Sequence, residues 1–179
     1  KGSSTLAAGS TIAVTTTGVS YIDRQYWLGP LKAQTITGTV KGQLMAREFV
    51  ASDNVNRSNI GIRAVSGDGL TIRGTLLAVG VAGGNTVELL DTGFRNRSIA
   101  IAASLTSTVV QDGDYLLIEL GFRSTTAGTT PEGAFLYGEA GTDLAENETD
   151  TTQNPGWIEF SNGLLLADNA VTLASDDGN

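Results

Sequence analysis

The chain of 179 residues contains no cysteine and no histidine. Without thiols it cannot form a disulfide bond, and without thiolate or imidazole groups it lacks the usual ligands of zinc. A Ser-His-Asp or Cys-His catalytic site is excluded within one chain, and so is a histidine-based pH switch. The sequence therefore predicts a protein that is not an enzyme.

Charged residues make up only 17% of the chain and hydrophobic residues 40%, while glycine occupies 23 positions. No apolar run reaches the roughly 18 residues that a membrane-spanning helix needs, so we expect no membrane span. Residues 1–9 lack the apolar segment of a signal peptide, so any signal peptide is expected to be absent from this chain.

The charges are divided along the chain. All 11 lysine and arginine residues lie at or before Arg123, and ten of the 19 aspartate and glutamate residues follow it. Binding to nucleic acid requires clustered basic residues, so it is not expected. The acidic C-terminal third is interpreted as a solvated region or, alternatively, as a patch that meets a basic patch on a neighbouring copy.

Alternation of apolar and polar residues is the dominant pattern, and it indicates strands. In residues 35–47, one set of side chains runs from Ile36 through Val40 and Leu44 to Ala46, and the polar set lies between its members. A strand separates such sets onto two faces, whereas a helix would mix them.

Turn residues divide the other alternating segments. Residues 66–69 predict a hairpin between strands at 60–64 and 70–78, and residues 111–114 predict a turn that opens the most apolar strand, 115–123. Shorter strands are expected at 98–103, 134–137, 157–160 and 164–166, with further candidates at 87–90 and 170–173.

These patterns predict an all-β protein: a single-domain antiparallel β-sandwich, jelly-roll or Ig-like, of about nine or ten strands. Residues 1–20 are expected to form an N-terminal arm or edge strand, residues 21–166 the sandwich domain, and residues 167–179 a C-terminal tail or strand. The N-terminal segment is interpreted either as a first edge strand or as an arm that pairs with a neighbouring copy.

Carboxylates cluster in two predicted loops, where they could be solvated turn residues, calcium ligands or a catalytic pair. One cluster is Asp112 with Asp114, and the other comprises Asp143, Glu146, Glu148 and Asp150. Solvated turn residues are favoured over calcium ligands, and calcium over a glycosidase pair, because loop spacing fixes neither burial nor separation. No EF-hand pattern is present, so no cofactor is expected, with calcium kept as an alternative.

Aromatic residues form two groups that could bind carbohydrate by stacking. The groups are Tyr21, Tyr26 and Trp27 near the N-terminus, and Trp157 with Phe160 in a late strand. Because aromatics make up only 6% of the chain, most of them are expected to serve the core instead.

Other motifs are weak. Gly80–Gly84 lacks the lysine and helix of a phosphate loop. Arg95 and Arg97 could hold an anion, although a surface loop is the default interpretation. Glycosylation sequons begin at Asn56, Asn96 and Asn147, as chance predicts in a chain rich in these residue types.

Several segments together resemble a known group of proteins. They are Tyr26-Trp27-Leu28, residues 34–43, 65–69 and 73–78, Thr142-Asp143-Leu144 and residues 154–161. These segments are similar to those of uncharacterised β-rich, virion-associated structural proteins of tailed phages and environmental genomes. The resemblance implies a virion surface or tail role in a homo-oligomeric array and transfers no site residue.

The sequence thus predicts a self-assembling structural protein of a virion or an extracellular filament, packed through sheet edges and terminal arms. Its expected partners are copies of itself, with other virion proteins or surface glycans as further candidates. A carbohydrate-binding or adhesion module is the alternative. No catalytic, cofactor-binding or metal-binding residue is assigned.

Overall fold

The structure is a computed structural model that describes residues 2–3, 10–15, 24–78, 88–124, 132–137, 143–149 and 156–167. Within these residues the protein is all-β, and its one helical element is the 3₁₀ turn Ala51–Asp53. The strands are β1 (Gly2–Ser3), β2 (Ser10–Thr15), β3 (Arg24–Leu28), β4 (Gln34–Ile36), β5 (Thr39–Glu48), β6 (Val55–Val65), β7 (Ile72–Leu77), β8 (Arg95–Ser104), β9 (Thr108–Val110), β10 (Tyr115–Ser124), β11 (Glu132–Tyr137) and β12 (Trp157–Phe160).

The strands form three antiparallel sheets. A six-stranded sheet contains β1, β12, β5, β11, β2 and β8, a four-stranded sheet has the order β3-β10-β6-β7, and β4 pairs with β9. None of these sheets closes into a barrel within the described residues. The described part of the chain also contains no helix with the length and hydrophobicity that a bilayer crossing requires.

The ten-residue strand β5 organises the six-stranded sheet. On one side it pairs with β8 along residues 39–46. On its other side it pairs first with β12, at residues 40–43, and then with β11, at residues 45–48. Two short strands therefore meet one long strand end to end.

One hydrophobic cluster joins the two larger sheets. It receives Val40 and Leu44 from β5, Ile62 from β6, and Leu116 and Ile118 from β10. These side chains alternate along their strands, which places them on the inner faces of the sheets. Tyr26 of β3 packs against the same cluster and is half-buried.

The prediction of one strand over residues 35–47 was wrong in one respect: the segment is two strands, β4 and β5. Gly38 separates them with φ +97°, a conformation that other residues rarely adopt. The inner-face residues are buried as expected. Gln43 and Met45 on the opposite face are buried as well, and loop 143–149 reaches that face, where the Leu144 N–H donates to Oε1 of Gln43.

The hairpin of β6 and β7 is confirmed, but its second strand changes phase. Leu70 and Ile72, on the apolar side of the alternation in residues 70–78, are 85% and 58% exposed. An irregularity in the pairing of β7 with β6, where Ile72 and Gly74 oppose Val65 and Ala64, moves the alternation by one residue. A second irregularity, between Thr75 and Leu77, lets Leu76 and Leu77 both enter the core.

Strand β10, the most apolar strand of the sequence, is central, because it lies between β3 and β6. Two short strands, β3 and β9, were not predicted from the sequence. The strand expected at 164–166 is wrong: the segment makes only an isolated bridge between Leu166 and Leu31. The candidate strand at 170–173 lies outside the described residues.

A substitution that creates a cavity tests whether the two larger sheets share one hydrophobic core. Ile62 is fully buried in the cluster, so Ile62→Ala should lower the free energy of unfolding by about 2–5 kcal/mol, measured by urea denaturation. Val109→Ala is the control, because Val109 is 68% exposed and should cost about 0.5 kcal/mol or less. Equal effects of the two substitutions would contradict the core assigned here.

Candidate functional site

The N-terminal segment lies along one margin of the six-stranded sheet. Gly2 and Ser3 pair with Ile158 and Trp157 of β12, and Ser10–Thr15 pairs with Tyr137–Glu132 of β11. Because β12 and β11 lie on the same side of β5 and are both antiparallel to it, β1 and β2 run in one direction along one margin. The described N-terminal strands thus cover the outer edges of β12 and β11 within one chain.

The opposite margin, at β8, is covered by the acidic loop 143–149. The Asn96 N–H donates to the Glu148 carbonyl, and the Asn147 N–H donates to the Asn96 carbonyl, each at 2.9 Å. The Asn96 side-chain amide also donates to the carbonyls of Leu144 and Ala145, at 2.9 and 3.1 Å. The loop therefore occupies backbone groups that an incoming strand would otherwise use.

A buried arginine fixes this loop to the sheet. The Arg97 side chain is only 1% exposed, and its Nη1 lies 3.0 Å from Oε1 of Glu146. Its Nη2 donates to the Glu88 carbonyl, and Oε2 of Glu146 accepts from the Ser98 N–H at 2.8 Å. An acidic residue of the C-terminal third thus pairs with a basic residue of its own chain, and not with a basic residue of a neighbouring copy.

The two carboxylates predicted at the turn 111–114 have different environments. Asp112 is exposed, and its Oδ1 accepts from the Ala33 N–H at 2.7 Å. Asp114, expected to be solvated, is instead 1% exposed and lies 3.1 Å from Nε of Arg73, while its Oδ2 accepts from the Gln111 N–H. Both groups stabilise the turn and its neighbouring strands.

The acidic loop does not gather its carboxylates. Asp143, Glu146 and Glu148 are exposed residues, and Asp150 lies outside the described residues. Among the residues that the structure describes, no three acidic side chains converge on a position that could hold a metal ion.

A small cleft of about 160 Å³ is lined by Thr39, Lys41, Ala102, Glu159, Phe160 and Ser161.

The aromatic residues that could stack on a carbohydrate, most of which were expected in the core, occupy three environments. Trp157 is 7% exposed, Phe160 is partly buried against the core, and Tyr26 is likewise packed against it. Trp27 is 53% exposed and lies on the outer face of the four-stranded sheet. Tyr21 lies outside the described residues, so Trp27 is the exposed member of the described set.

The turn 66–69, which follows β6, meets the Trp27 indole across β10. A Cβ atom on Gly69, whose φ is +73°, would lie 2.9 Å from Cη2 of the indole. Asp68 shapes the turn: its Oδ1 accepts from the Ser66 hydroxyl and from the Leu70 N–H. These hydrogen bonds, above all that from Ser66, hold the pKa of the Asp68 carboxyl below its ordinary value of 3.8.

The remaining predicted sites are structural or lie outside the described side chains. Arg97 belongs to the buried pair described above. Arg95 is half-buried, and its Nε has no hydrogen-bond partner among the described residues. Asn96 is fully buried, so the folded chain does not present this sequon to a glycosylating enzyme; Asn147 is exposed, and the side chain of Asn56 is not described.

Two features of the candidate site have no local pattern in the sequence. The first is the outer-face set of Gln25, Arg63 and Glu119, which come from three different strands. The second is the covering of the two margins, because the paired residues are more than a hundred positions apart at β11 and β12, and 49 positions separate Arg97 from Glu146 at β8. Only the alternation in Ser10–Thr15 signalled that this segment could be a strand.

The Arg97–Glu146 pair predicts a measurable cost. In Glu146→Gln, one of the two carboxylate acceptors becomes an NH₂ group, so either Arg97 or the Ser98 N–H loses its partner. We expect a loss of about 1–3 kcal/mol in the free energy of unfolding, with faster amide hydrogen exchange at Asn96.

The matched control is Glu88→Gln, a substitution at the other residue that accepts from Arg97. The backbone carbonyl of Glu88, rather than its carboxylate, accepts from Arg97, so stability should change by about 0.5 kcal/mol or less. If both variants exchange Asn96 at the wild-type rate, Glu146 does not hold the loop on β8.

The turn predicts a pH effect with a definite sign. The folded pKa of Asp68 lies below the unfolded value, so its contribution is present above pH 3.8 and is lost as the pH falls through the folded pKa. An NMR titration of the Asp68 carboxyl should show the lowered pKa, and Ser66→Ala should raise it towards 3.8. An unchanged value in Ser66→Ala would contradict the assigned cause.

Comparison of the chain with models of known protein families finds no family that matches, and comparison with curated proteins finds no match. Neither comparison links the chain to phage structural proteins, so the resemblance to them stays a prediction. What the protein does must therefore be inferred from its own margins and faces.

Proposed function

We propose that this chain is a β-sandwich that assembles with copies of itself by exchanging its N-terminal strands, and that it serves as a non-enzymatic structural protein of a virion or an extracellular filament. The single core shared by the two larger sheets supports the sandwich arrangement. A jelly-roll or Ig-like connection of the strands remains part of the proposal.

The observation that carries the proposal is the difference between the two margins of the six-stranded sheet. The β8 margin is held by hydrogen bonds from loop 143–149 and by the Arg97–Glu146 pair. The other margin is covered by β1 and β2, which come from the first 15 residues of the chain. Among the described strands, β1 and β2 each pair with one neighbour only, so either can leave without breaking a pairing inside the sheet.

The connection to β3 allows β2 to reach another molecule. β2 belongs to the six-stranded sheet and β3 to the four-stranded sheet, with residues 16–23 between them. Eight extended residues span at most about 26–29 Å. A strand inserted into a neighbouring molecule makes the same backbone hydrogen bonds that it makes within its own chain. The protein concentration therefore decides between the exchanged and the unexchanged form.

Strand donation of this kind is directional. The donor is β2, whereas the acceptor is the outer edge of β11, so the two surfaces in contact are different. Head-to-tail contacts between unlike surfaces build rings when the rotation closes and open fibres when it does not. Both products suit a structural protein of a virion or a filament.

A pair of introduced cysteines distinguishes pairing of β2 with β11 of the same chain from pairing with β11 of another chain. Ala13 and Ala134 are register partners in β2 and β11, and paired strands bring such Cα atoms within disulfide range. The wild-type chain has no cysteine, so each disulfide reports only the introduced pair. In Ala13→Cys/Ala134→Cys, oxidation of the concentrated protein should link different chains, giving ladders on a non-reducing gel.

The matched control is Lys41→Cys/Glu159→Cys, a register pair between β5 and β12. Both of its strands stay within the body of the sheet, so its disulfide should form within one chain at any concentration. If the Ala13/Ala134 pair also forms only within one chain in the concentrated protein, strand exchange is wrong.

Deletion of residues 1–18 should abolish assembly while leaving a folded monomer, as judged by light scattering and circular dichroism. A synthetic peptide of residues 1–18 should bind this shortened chain, because the edges of β12 and β11 are then open. Assembly of the shortened chain at the wild-type rate would show that other surfaces join the copies.

A further inference from the structure

The outer face of the four-stranded sheet presents an exposed indole in a fixed orientation. The Trp27 and Tyr115 rings meet edge to face, with centroids 5.7 Å apart and planes at 73°. Gly69 leaves room for the far edge of the indole. An exposed tryptophan normally loses side-chain freedom when it binds a ligand, and these contacts have already removed part of that freedom.

A chain of polar groups lies beside the indole on the same face. Glu119, which is only 4% exposed, accepts from Nε2 of Gln25 at 3.0 Å and forms an ion pair with Nε of Arg63 at 3.3 Å. These two contacts use Nε2 of Gln25 and Nε of Arg63, and they do not involve Oε1 of Gln25 or the Nη groups of Arg63. The buried carboxylate thus orients one further acceptor and several further donors.

The register of the strands sets the distance between the two kinds of group. Trp27, Leu117 and Arg63 are cross-strand neighbours on β3, β10 and β6. Adjacent strands lie about 4.8 Å apart, so the backbones that carry Trp27 and Arg63 are separated by about 10 Å. Leu117, which is 9% exposed, lies between them.

The Trp27 and Arg63 side chains also lean in opposite directions along the sheet. The indole reaches Tyr115 and Gly69, whereas the guanidinium reaches Glu119. A ligand that contacts both must be elongated, with an apolar face at one end and hydroxyl groups at the other.

From this geometry we infer that the outer face of the four-stranded sheet is a binding site for an oligosaccharide of at least two sugar units. The C–H face of one sugar ring stacks on Trp27. Hydroxyl groups of a following ring accept from Arg63 and donate to Gln25. Glu119 is a positioning residue, because it holds these two side chains and is itself buried.

A second copy of the chain is the competing occupant of this face, because the exposed Ile72 lies opposite Val65 and the exposed Leu70 follows Gly69, which meets the indole. A partner held by that area would depend on the most exposed side chain, Leu70. A sugar held between Trp27 and Arg63 would not. The site involves none of β1, β2 and β11, so it stands independently of strand exchange.

Binding is tested with the full chain on an array of immobilised oligosaccharides, from monosaccharides to hexasaccharides, followed by calorimetric titration with the strongest binder. Trp27→Ala should weaken binding at least about tenfold, equivalent to about 1.4 kcal/mol. Gln25→Ala should weaken it severalfold, and Leu70→Ser should leave it unchanged. Trp27→Phe, which keeps an aromatic face, should retain part of the affinity.

Fluorescence separates direct contact from loss of folding. The chain has two tryptophans, so Trp157→Phe leaves Trp27 as the only indole, and the bound oligosaccharide should shift its emission to shorter wavelength. Three results would overturn the site: no oligosaccharide on the array bound by the wild-type chain, equal affinity of folded Trp27→Ala, or no emission change. Self-association abolished by Leu70→Ser, without sugar binding, would assign the face to a second copy.

Discussion

A strand at the margin of a sheet has one row of backbone N–H and C=O groups without partners in the sheet, and the six-stranded sheet has two such margins. The chain satisfies them by different means. At β8, a loop rather than a strand supplies carbonyl and amide groups, and a buried arginine holds that loop in place. At β11 and β12, strands from the N-terminus supply them. The position of the acidic loop, the burial of Arg97 and the proposed exchange all depend on this requirement.

Several charged side chains of this protein are buried, where they hold loops against strands. Asp114 with Arg73, and Arg97 with Glu146, each combine a buried charge with a more exposed partner. Glu48, at the end of the inner face of β5, is 1% exposed and accepts from the Val55 N–H at 3.0 Å. A buried charge without its partner is costly, so these contacts fix which loops lie against which strands. A low content of charged residues is therefore compatible with a strong electrostatic influence on the fold.

Sequence reasoning was most successful where local pattern and tertiary environment agree. β10 follows a clear turn and carries an apolar alternation, so its extent and its inner face could be predicted. Residues 164–166 have similar local character, but the Gln34 side-chain amide bonds the N–H and C=O of Leu165, and no ladder forms beyond the bridge. Trp27 was recognised as a candidate, while its polar neighbours were not, because cross-strand register decides that Glu119 lies beside Gln25 and near Arg63. The partners Arg97 and Glu146 are 49 residues apart, and no local pattern connects them.

The end-to-end arrangement of β12 and β11 on β5 has a mechanical consequence. Leu44 lies at the junction, after the last residue paired with β12 and before the first paired with β11. The sheet beyond β5 therefore consists of two panels, one of β12 with β1 and one of β11 with β2, which share β5 as a common spine. Separate panels can detach with separate free energies. The panel containing β2 can thus open to the solvent while β12 keeps its hydrogen bonds and continues to cover the first half of β5.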